Sequence, residues 1–232
     1  MTGTHNLHTE SRGDPANPTL ILLHGAGAAS RTWKHQLSAL SDRFHLIAPD
    51  LPGFGRSPGP VSLAASAEAV AELVAHHNAP VHLCGHSMGA FVAARVAAEH
   101  PEGISKLVLC GANIKAAEHG RRQIAFYRSR PGWWLMKMLS DLPTRAALLQ
   151  MVDEAEASDL TDVLPRIQAP TLVVCGRRDR ECVVDVQPMT DAIPNARALI
   201  VPHTGHLLPV TGAKAFNAIV GAFYGSVAGD AK

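Results

Sequence analysis

Residues 85–89 read Gly-His-Ser-Met-Gly and lie between a short apolar run and a segment with small and branched apolar residues at helical spacing. The run Val81–Cys84 has the composition of a buried strand, and Ala90–Ala98 that of a helix. A Gly-x-Ser-x-Gly sequence at a strand-to-helix turn is typical of a nucleophile elbow, in which the glycines let strand and helix pass closely. The sequence therefore indicates Ser87 as a nucleophile.

Apolar runs alternate with helical patterns along most of the chain, as expected of a doubly wound, mostly parallel α/β sheet with right-handed crossovers. The aliphatic content of the runs is nearly continuous, which is typical of parallel strands buried on both faces. The candidate strands are Asn6–Glu10, Thr19–Leu23, His45–Ala48, Val81–Cys84, Lys106–Cys110, Thr171–Cys175 and Ala198–Val201. The candidate helices between them are Trp33–Leu40, Leu63–His76, Ala90–His100 and Val183–Ala192.

One long stretch breaks the alternation. Residues 113–164 contain no candidate strand and three amphipathic segments, which are Ala116–Ser129, Trp133–Ser140 and Thr144–Ala155. Ligands of open α/β sheets bind outside the carboxyl ends of the strands, and an insertion after the strand at Lys106–Cys110 would roof that region. We therefore predict a core formed by residues 1–112 and 165–232, with residues 113–164 as a short helical cap.

The bulk composition excludes several classes of protein. The 232 residues fit one large α/β domain, and 21 basic against 20 acidic residues give a net charge of +1, without the basic excess of a nucleic-acid-binding protein. No apolar stretch is long enough to span a bilayer, and the N-terminus lacks the pattern of a signal peptide. Three of the four cysteines fall in candidate strands, where buried thiols are favoured over a disulfide. We expect a cytoplasmic protein.

A serine nucleophile needs a base, and the base needs an acid that orients it. His206 follows the last candidate strand, and Asp179 lies in the turn after the preceding one. Both, like Ser87, fall at the carboxyl ends of strands and can converge there, and the order serine, aspartate, histidine is the one expected for such a sheet. Asn113 follows the strand Lys106–Cys110 at an alternative position for the acid, but an amide cannot act as a charged orienter. The sequence predicts a triad of Ser87, Asp179 and His206.

The oxyanion hole is predicted from a glycine-rich turn. Residues 24–27 read His-Gly-Ala-Gly and come directly after the strand Thr19–Leu23, so a backbone N–H can point into the site. The N–H groups of Ala26 and of Met88 would together hold an oxyanion, and each such donor lowers the barrier by about 3 kcal/mol. His24 is expected to brace this turn through a hydrogen bond and not to act as a catalytic group.

These motifs resemble those of the α/β-hydrolase superfamily over almost the whole chain. The resemblance rests on five features: His24-Gly25, the turn from Asp50 to Ser57, the Ser87 elbow, the strand from Pro170 to Gly176 with Asp179 after it, and Gly205-His206. The resemblance implies the α/β-hydrolase fold and the triad. It also implies that the family's usual first N-terminal strand is missing from this chain. It also implies that Asp50 belongs to a structural turn and is not the catalytic acid.

Within the superfamily the chain looks most like small carboxylesterases and their meta-cleavage-product and menaquinone-pathway relatives. The serine at position 87, where haloalkane dehalogenases carry an aspartate, speaks against dehalogenation. The resemblance thus implies a serine hydrolase acting on a small carboxylic ester or thioester, with no cofactor and no metal. Two alternatives stay open: a C–C bond hydrolase or lyase on the same triad, and a ligand receptor that keeps the triad but turns over slowly. The oligomeric state is not predicted.

The predicted cap has two features with open interpretations. Its large apolar side chains could line an acyl pocket or pack the cap onto the core, and they are Trp133, Trp134, Met136 and Met138. Its basic side chains could form a solvated helix face or bind an anionic substrate such as a phosphopantetheine thioester or a carboxylate, and they are Lys115, Arg121, Arg122, Arg128, Arg130 and Lys137.

Overall fold

The structure is a computed structural model that describes residues 7–115, 121–139 and 144–225, with the backbone alone at residues 121–124, 136 and 139. The strands are β1 (Thr9–Arg12), β2 (Thr19–Leu23), β3 (His45–Pro49), β4 (Val81–His86), β5 (Ile104–Cys110), β6 (Thr171–Gly176) and β7 (Ala196–Val201). The helices are α1 (Lys34–Ala39), α2 (Leu63–Ala75), α3 (Met88–Glu99), α4 (Arg121–Arg128), α5 (Arg130–Leu139), α6 (Arg145–Ala157), α7 (Val186–Ala192), α8 (Leu208–Thr211) and α9 (Ala213–Gly225).

The seven strands form one sheet in the order β1-β3-β2-β4-β5-β6-β7. Every neighbouring pair is parallel except β1 and β3, which pair antiparallel at one edge. This arrangement confirms the doubly wound, mostly parallel α/β-hydrolase fold. The one strand described before Thr19 begins at Thr9, three residues later than in the candidate Asn6–Glu10. The remaining candidate strands are confirmed to within two residues at each end.

Side chains alternate between two apolar layers on either side of the sheet. On β2, Ile21 and Leu23 face a cluster that includes residues of α2, α3 and α7, whereas Leu20 and Leu22 face a cluster with residues of α1 and α9. This two-sided burial explains why the inner strands β2 to β6 read as continuous apolar runs, whereas the edge strands β1 and β7 are largely exposed. The sheet is therefore fixed between the two helical layers, and its carboxyl edge is a rigid platform.

The helices flanking the sheet follow the sequence patterns closely. Helix α2 begins after Ser62, whose hydroxyl accepts a hydrogen bond from the N–H of Ala65, as an N-cap residue does. The candidate helices at Trp33 and Val183 each begin with a turn of 3-10 helix, at Ser30–Trp33 and Val183–Asp185. Helices α8 and α9 were absent from the sequence prediction. Helix α9 buries Phe216, Val220, Phe223 and Tyr224 against the sheet.

In the described residues between β5 and β6 there are three helices, α4 to α6, where the sequence predicted amphipathic segments. The first segment, Ala116–Ser129, falls partly outside the described residues, and its described part contains α4. Helix α6 joins the main core through buried Leu148, Met151 and Val152. In the part of residues 113–164 that the structure describes, the strand-like pairing is a single antiparallel bridge between Lys115 and Asp159. Among the described helices, none has the length and hydropathy needed to cross a membrane.

Candidate active site

Ser87 sits in a tight turn between β4 and α3. Its backbone has φ 53° and ψ −120°, a left-handed conformation that L residues rarely adopt and that costs about 1–3 kcal/mol. A Cβ at Gly85 would stand 2.2 Å from the carbonyl oxygen of Gly89, and one at Gly89 would stand 2.3 Å from that of Leu23. The Ser87 N–H donates to the carbonyl of Cys110 at 2.9 Å, which ties the turn to β5. Glycine is therefore required at both flanking positions.

Ser87, His206 and Asp179 form a chain of hydrogen bonds at the carboxyl edge of the sheet. The Nε2 atom of His206 lies 3.1 Å from the Ser87 hydroxyl oxygen, and its Nδ1 atom lies 2.7 Å from Oδ2 of Asp179. Because the carboxylate accepts, Nδ1 carries the hydrogen and Nε2 is free to accept the serine proton. The three residues named from the sequence are thus brought together, from the ends of β4, β6 and β7.

The environment of Asp179 keeps this carboxyl ionised. Burial raises its pKa, but hydrogen bonds from His206 and Cys182 together with the charge of His206 lower it more, so that the pKa of Asp179 lies below its ordinary value. The side chain is 6% exposed, against 38% for His206. A charged, buried acid that accepts the Nδ1 hydrogen fixes the orientation of the imidazole.

Cys182 lies next to this pair and was not identified from the sequence. Its thiol donates to the carbonyl of Gly111 and to Oδ1 of Asn113, both at 3.3 Å, and lies 3.7 Å from Nδ1 of His206. Asn113 in turn donates to the Glu181 carbonyl at 2.7 Å and to Asp185 at 3.2 Å. Asn113 therefore braces the loop that carries Asp179, in keeping with the exclusion of Asn113 as the acid.

His86, beside the serine, is a buried neighbour of His206. Its Nε2 donates to the backbone carbonyl of His206 at 2.8 Å, which links β4 to the loop after β7. Burial, assisted by the nearby His206, lowers the pKa of His86 to about 3, so the ring is neutral. His86 was not among the site residues predicted from the sequence. The structure gives it this specific bond, which the residue type alone did not signal.

The glycine-rich turn after β2 lies against the serine. A Cβ at Gly25 would stand 3.2 Å from Cβ of Ser87, and both Ala26 and Met88 line the cavity beside that residue. His24 accepts from the N–H of Leu51 through Nε2 and donates from Nδ1 to the carbonyl of Gly25, both at 2.9 Å. His24 thus braces the turn, as expected.

Asp50 makes backbone hydrogen bonds away from the serine. Its Oδ1 accepts from the N–H of Ser30 at 2.7 Å, and its Oδ2 accepts from the N–H of Arg56 at 2.9 Å. Burial raises the pKa of Asp50, but these hydrogen bonds outweigh it, and the pKa lies below the ordinary value. The expected structural role of Asp50 in the turn is in agreement with these bonds.

A cavity of about 400 Å³ opens over Ser87. Its walls come from the glycine-rich turn, the start of α2, the loops after β5, β6 and β7, and helix α6. Helix α6 contributes Met151, Glu154, Ala155 and Ser158, which recur three or four positions apart and so share one face. The sequence contained this stripe, but it did not show which side of α6 would meet the core.

Of the four cap residues proposed from the sequence as a substrate pocket, the three whose side chains the structure describes, Trp133, Trp134 and Met138, are not brought to this cavity. Trp134 and Met138 are 64% and 65% exposed, and neither lines the cavity. Trp133 is partly buried and packs against the main core. The side chain of Met136 lies outside the described part of the structure. Helix α5 therefore holds its described aromatic and sulfur side chains away from Ser87.

The described basic side chains of the insertion are exposed or paired with acids. Arg128 bonds to Asp153 at 2.8 Å and also to Glu156, and Lys115 lies 3.4 Å from Asp159. Arg130 and Lys137 are exposed, and the side chains of Arg121 and Arg122 are outside the described part. None of the described basic side chains lines the cavity. The solvated helix face accounts for these positions better than an anion-binding site.

Asp179, Cys182 and His206 also have ligand atoms close enough together for a metal ion, within 4.8 Å of one another. Burial, and then the charge of Asp179, raises the pKa of Cys182 well above the ordinary value, so the thiolate that a metal needs is disfavoured. The Nδ1 atom of His206 is already bonded to Asp179. The donor set therefore fits a proton-transfer site better than a metal site.

Comparison with known proteins agrees with the fold. A putative carbamate hydrolase, RutD, from Yersinia enterocolitica is 27% identical and covers 90% of this chain and 88% of its own. A pimeloyl-[acyl-carrier protein] methyl ester esterase from Methylococcus capsulatus is 30% identical over 85% of this chain and 87% of its own. The structure of a thermophilic esterase from Thermogutta terrifontis superimposes with a TM-score of 0.79 at 26% identity, and covers 94% of this chain and 92% of that one.

The match to a family is equally extensive. The sequence model of the alpha/beta hydrolase family matches residues 20–219, from the second strand to the last helix. That range includes the serine turn, the aspartate loop and the histidine loop. The chain belongs to the α/β hydrolase family.

Proposed function

We propose that this protein is a serine hydrolase that cleaves small carboxylic esters or thioesters through an acyl-enzyme on Ser87. The observation that carries the proposal is the pair of hydrogen bonds of His206, 3.1 Å to the Ser87 hydroxyl oxygen and 2.7 Å to Asp179. A base within hydrogen-bond reach of a serine, oriented by a buried acid, is the arrangement that activates a hydroxyl for attack on an acyl carbon.

The proposed reaction has two halves. His206 takes the proton of Ser87 as its oxygen attacks the acyl carbon, and the resulting oxyanion is held by the N–H groups of Ala26 and Met88. His206 then gives its proton to the leaving alkoxide or thiolate, which departs as an alcohol or thiol. Water repeats the sequence on the acyl-enzyme and releases a carboxylic acid. Asp179 stays ionised and stabilises the imidazolium in both halves.

The relatives support ester chemistry over the alternatives named from the sequence. One of them is described as a methyl ester esterase and another as an esterase, and both span most of this chain. We further propose that residues 113–164 act as a cap over a core of residues 1–112 and 165–232, a division supported by the placement of α6 over Ser87. A cytoplasmic location is supported by the four cysteines, all buried and free.

The test is pre-steady-state hydrolysis of p-nitrophenyl esters of rising acyl chain length, with acyl-CoA thioesters alongside. We expect a burst of p-nitrophenol stoichiometric with the enzyme, followed by slower turnover. Ser87→Ala should abolish both phases. Ser66→Ala is the matched control, because Ser66 also lines the cavity and lies in helix α2, where alanine is well tolerated. Undiminished turnover by Ser87→Ala would overturn the proposal.

A further inference from the structure

The charged side chains in the described lining of the cavity are acidic. Apart from Ser87 and His206, the ionisable groups of the described lining are Glu154, Glu181, Cys182, His86 and Tyr127. Two of these are carboxylates, and the described lining contains no lysine or arginine. A substrate that enters the cavity therefore meets negative charge on the protein without a matching cation.

The two carboxylates belong to different walls. Glu154 lies on α6 in the roof, and its Oε2 accepts a hydrogen bond from the N–H of Leu63 at 3.0 Å, at the start of α2. Glu181 lies in the loop after β6, two residues beyond Asp179, and its backbone carbonyl accepts from Asn113. The two carboxylates thus come from separate elements of the wall, each tied to a neighbouring part of the fold by a hydrogen bond.

Neighbouring positive charge is already neutralised. Arg128 pairs with Asp153 and Glu156, and these carboxylates flank Glu154 on α6. Burial lowers the pKa of His86 to about 3, which removes a second source of positive charge inside the cavity. These residues therefore supply no positive charge that offsets the two carboxylates of the cavity wall.

The remaining lining suits a cation with apolar surroundings. Phe54, Phe91 and Tyr127 are part of the walls, and aromatic rings attract ammonium groups through their quadrupole. A carboxylate or sulfonate in the same place would lose its hydration and gain no positive partner from the described walls. Apolar rings together with acidic groups are the combination that accepts quaternary or protonated amines.

We propose that the cavity selects its substrate by charge, and takes esters whose acyl chain carries an ammonium group in preference to uncharged esters and, most strongly, to esters that carry an anion. This inference rests on the proposed esterase function and deepens it, since it names the class of substrate. Glu154 and Glu181 determine the charge preference, while Ser87, Asp179 and His206 carry the chemistry.

The experiment compares three p-nitrophenyl butyrates of similar size that end in trimethylammonium, tert-butyl or sulfonate. We expect kcat/KM to fall in that order, with about a hundredfold between the first and the last at low ionic strength. Glu154→Gln and Glu181→Gln should each lower the ammonium-to-sulfonate ratio by about fivefold, because each removes one unit charge a few ångströms from the ligand. Added salt should lower the ratio as well.

The matched control is Glu99→Gln, which makes the same change at the exposed end of helix α3, outside the cavity. It should leave the ratio within about twofold of the wild-type ratio. Glutamine at position 154 keeps an oxygen that can accept from Leu63, so a change in the ratio reports charge and not the loss of that bond.

Three outcomes separate the claims. A ratio that falls in both cavity variants but not in the control supports the inference. Turnover of the tert-butyl ester through Ser87 with a ratio near one, unchanged in the variants, overturns the inference and leaves the esterase function standing. Failure to hydrolyse any of the three esters, with no acylation of Ser87, overturns both.

Discussion

The floor and the roof of the cavity are built in different ways. The floor consists of residues at strand ends, where Ser87, Asp179 and His206 are fixed by hydrogen bonds of 2.7 and 3.1 Å. The roof is helix α6, which is held by apolar contacts and by the hydrogen bond from Leu63 to Glu154. Helix α5, from the same insertion, packs on α4 and leaves Trp134 exposed. From this difference we propose that the floor sets the chemistry and that α6, not α5, sets the fit of the substrate.

The largest effect is expected on the floor. His206→Ala should lower kcat by about 10⁴-fold or more with little change in melting temperature, because the serine loses its base. The kcat of the double variant, His206→Ala with Ser87→Ala, should lie within about tenfold of the kcat of either single variant, since the residues act as a unit. Steady-state kinetics on both variants measures this. Multiplying effects in the double variant would contradict a shared mechanism.

The turn that carries Ser87 should be the part of the floor that tolerates substitution least. Gly85→Ala should lower the free energy of unfolding by about 3 kcal/mol or more, because the new Cβ would stand 2.2 Å from the Gly89 carbonyl oxygen. Gly205→Ala is the control, since nothing lies within 4 Å of a Cβ there. Urea unfolding of the two variants makes the comparison. Equal stabilities would mean that the strand and helix are not packed this closely.

Two buried histidines of strand β4, which lies under the floor, should make the stability of the fold sensitive to acid. Burial lowers the pKa of His82 to about 4 and that of His86 to about 3, from an ordinary value of 6.5. The unfolded chain therefore binds more protons than the folded one below about pH 6.5, and the free energy of unfolding falls as the pH drops towards 4. Each group contributes a slope of up to about 1.4 kcal/mol per pH unit.

His82→Phe tests this assignment. His82 stacks on Tyr224 with ring centroids 4.8 Å apart, and its Nδ1 has no hydrogen-bond partner, so phenylalanine can keep the stacking without a titrating group. Urea titrations at pH 7, 6 and 5 should show a shallower loss of stability in this variant. A slope identical to that of the wild type would remove His82 from the acid response.

Substitutions in the roof should have a smaller effect, and that effect should fall on the preference for acyl chain length. Met151→Ala enlarges the cavity wall on α6 and should shift the kcat/KM ratio of long to short acyl esters by about tenfold in favour of the long ones. Trp134→Ala removes a larger side chain from α5 and should leave that ratio within about twofold, because Trp134 is 64% exposed and does not line the cavity. The opposite pattern would place the acyl pocket against α5.

The floor could be predicted from the sequence because its residues follow from strand order. Parallel strands buried on both faces leave continuous apolar runs, and the residues after each run must meet at one edge, which is how Asp179 and His206 were found. The roof could not be predicted in this way. Large apolar side chains on α5 and α6 look alike in the sequence, and the side of each helix that meets the core depends on long-range packing. Glu154, Glu181 and Cys182 were missed for the same reason.

Covalent labelling of the serine tests the central claim most directly. The wild-type protein, treated with a fluorophosphonate, should gain the mass of one adduct, and peptide mapping should locate it on Ser87. His206→Ala should label far more slowly, since its serine has no base. Labelling that persists in Ser87→Ala, or an adduct mapped to another residue, would contradict Ser87 as the nucleophile.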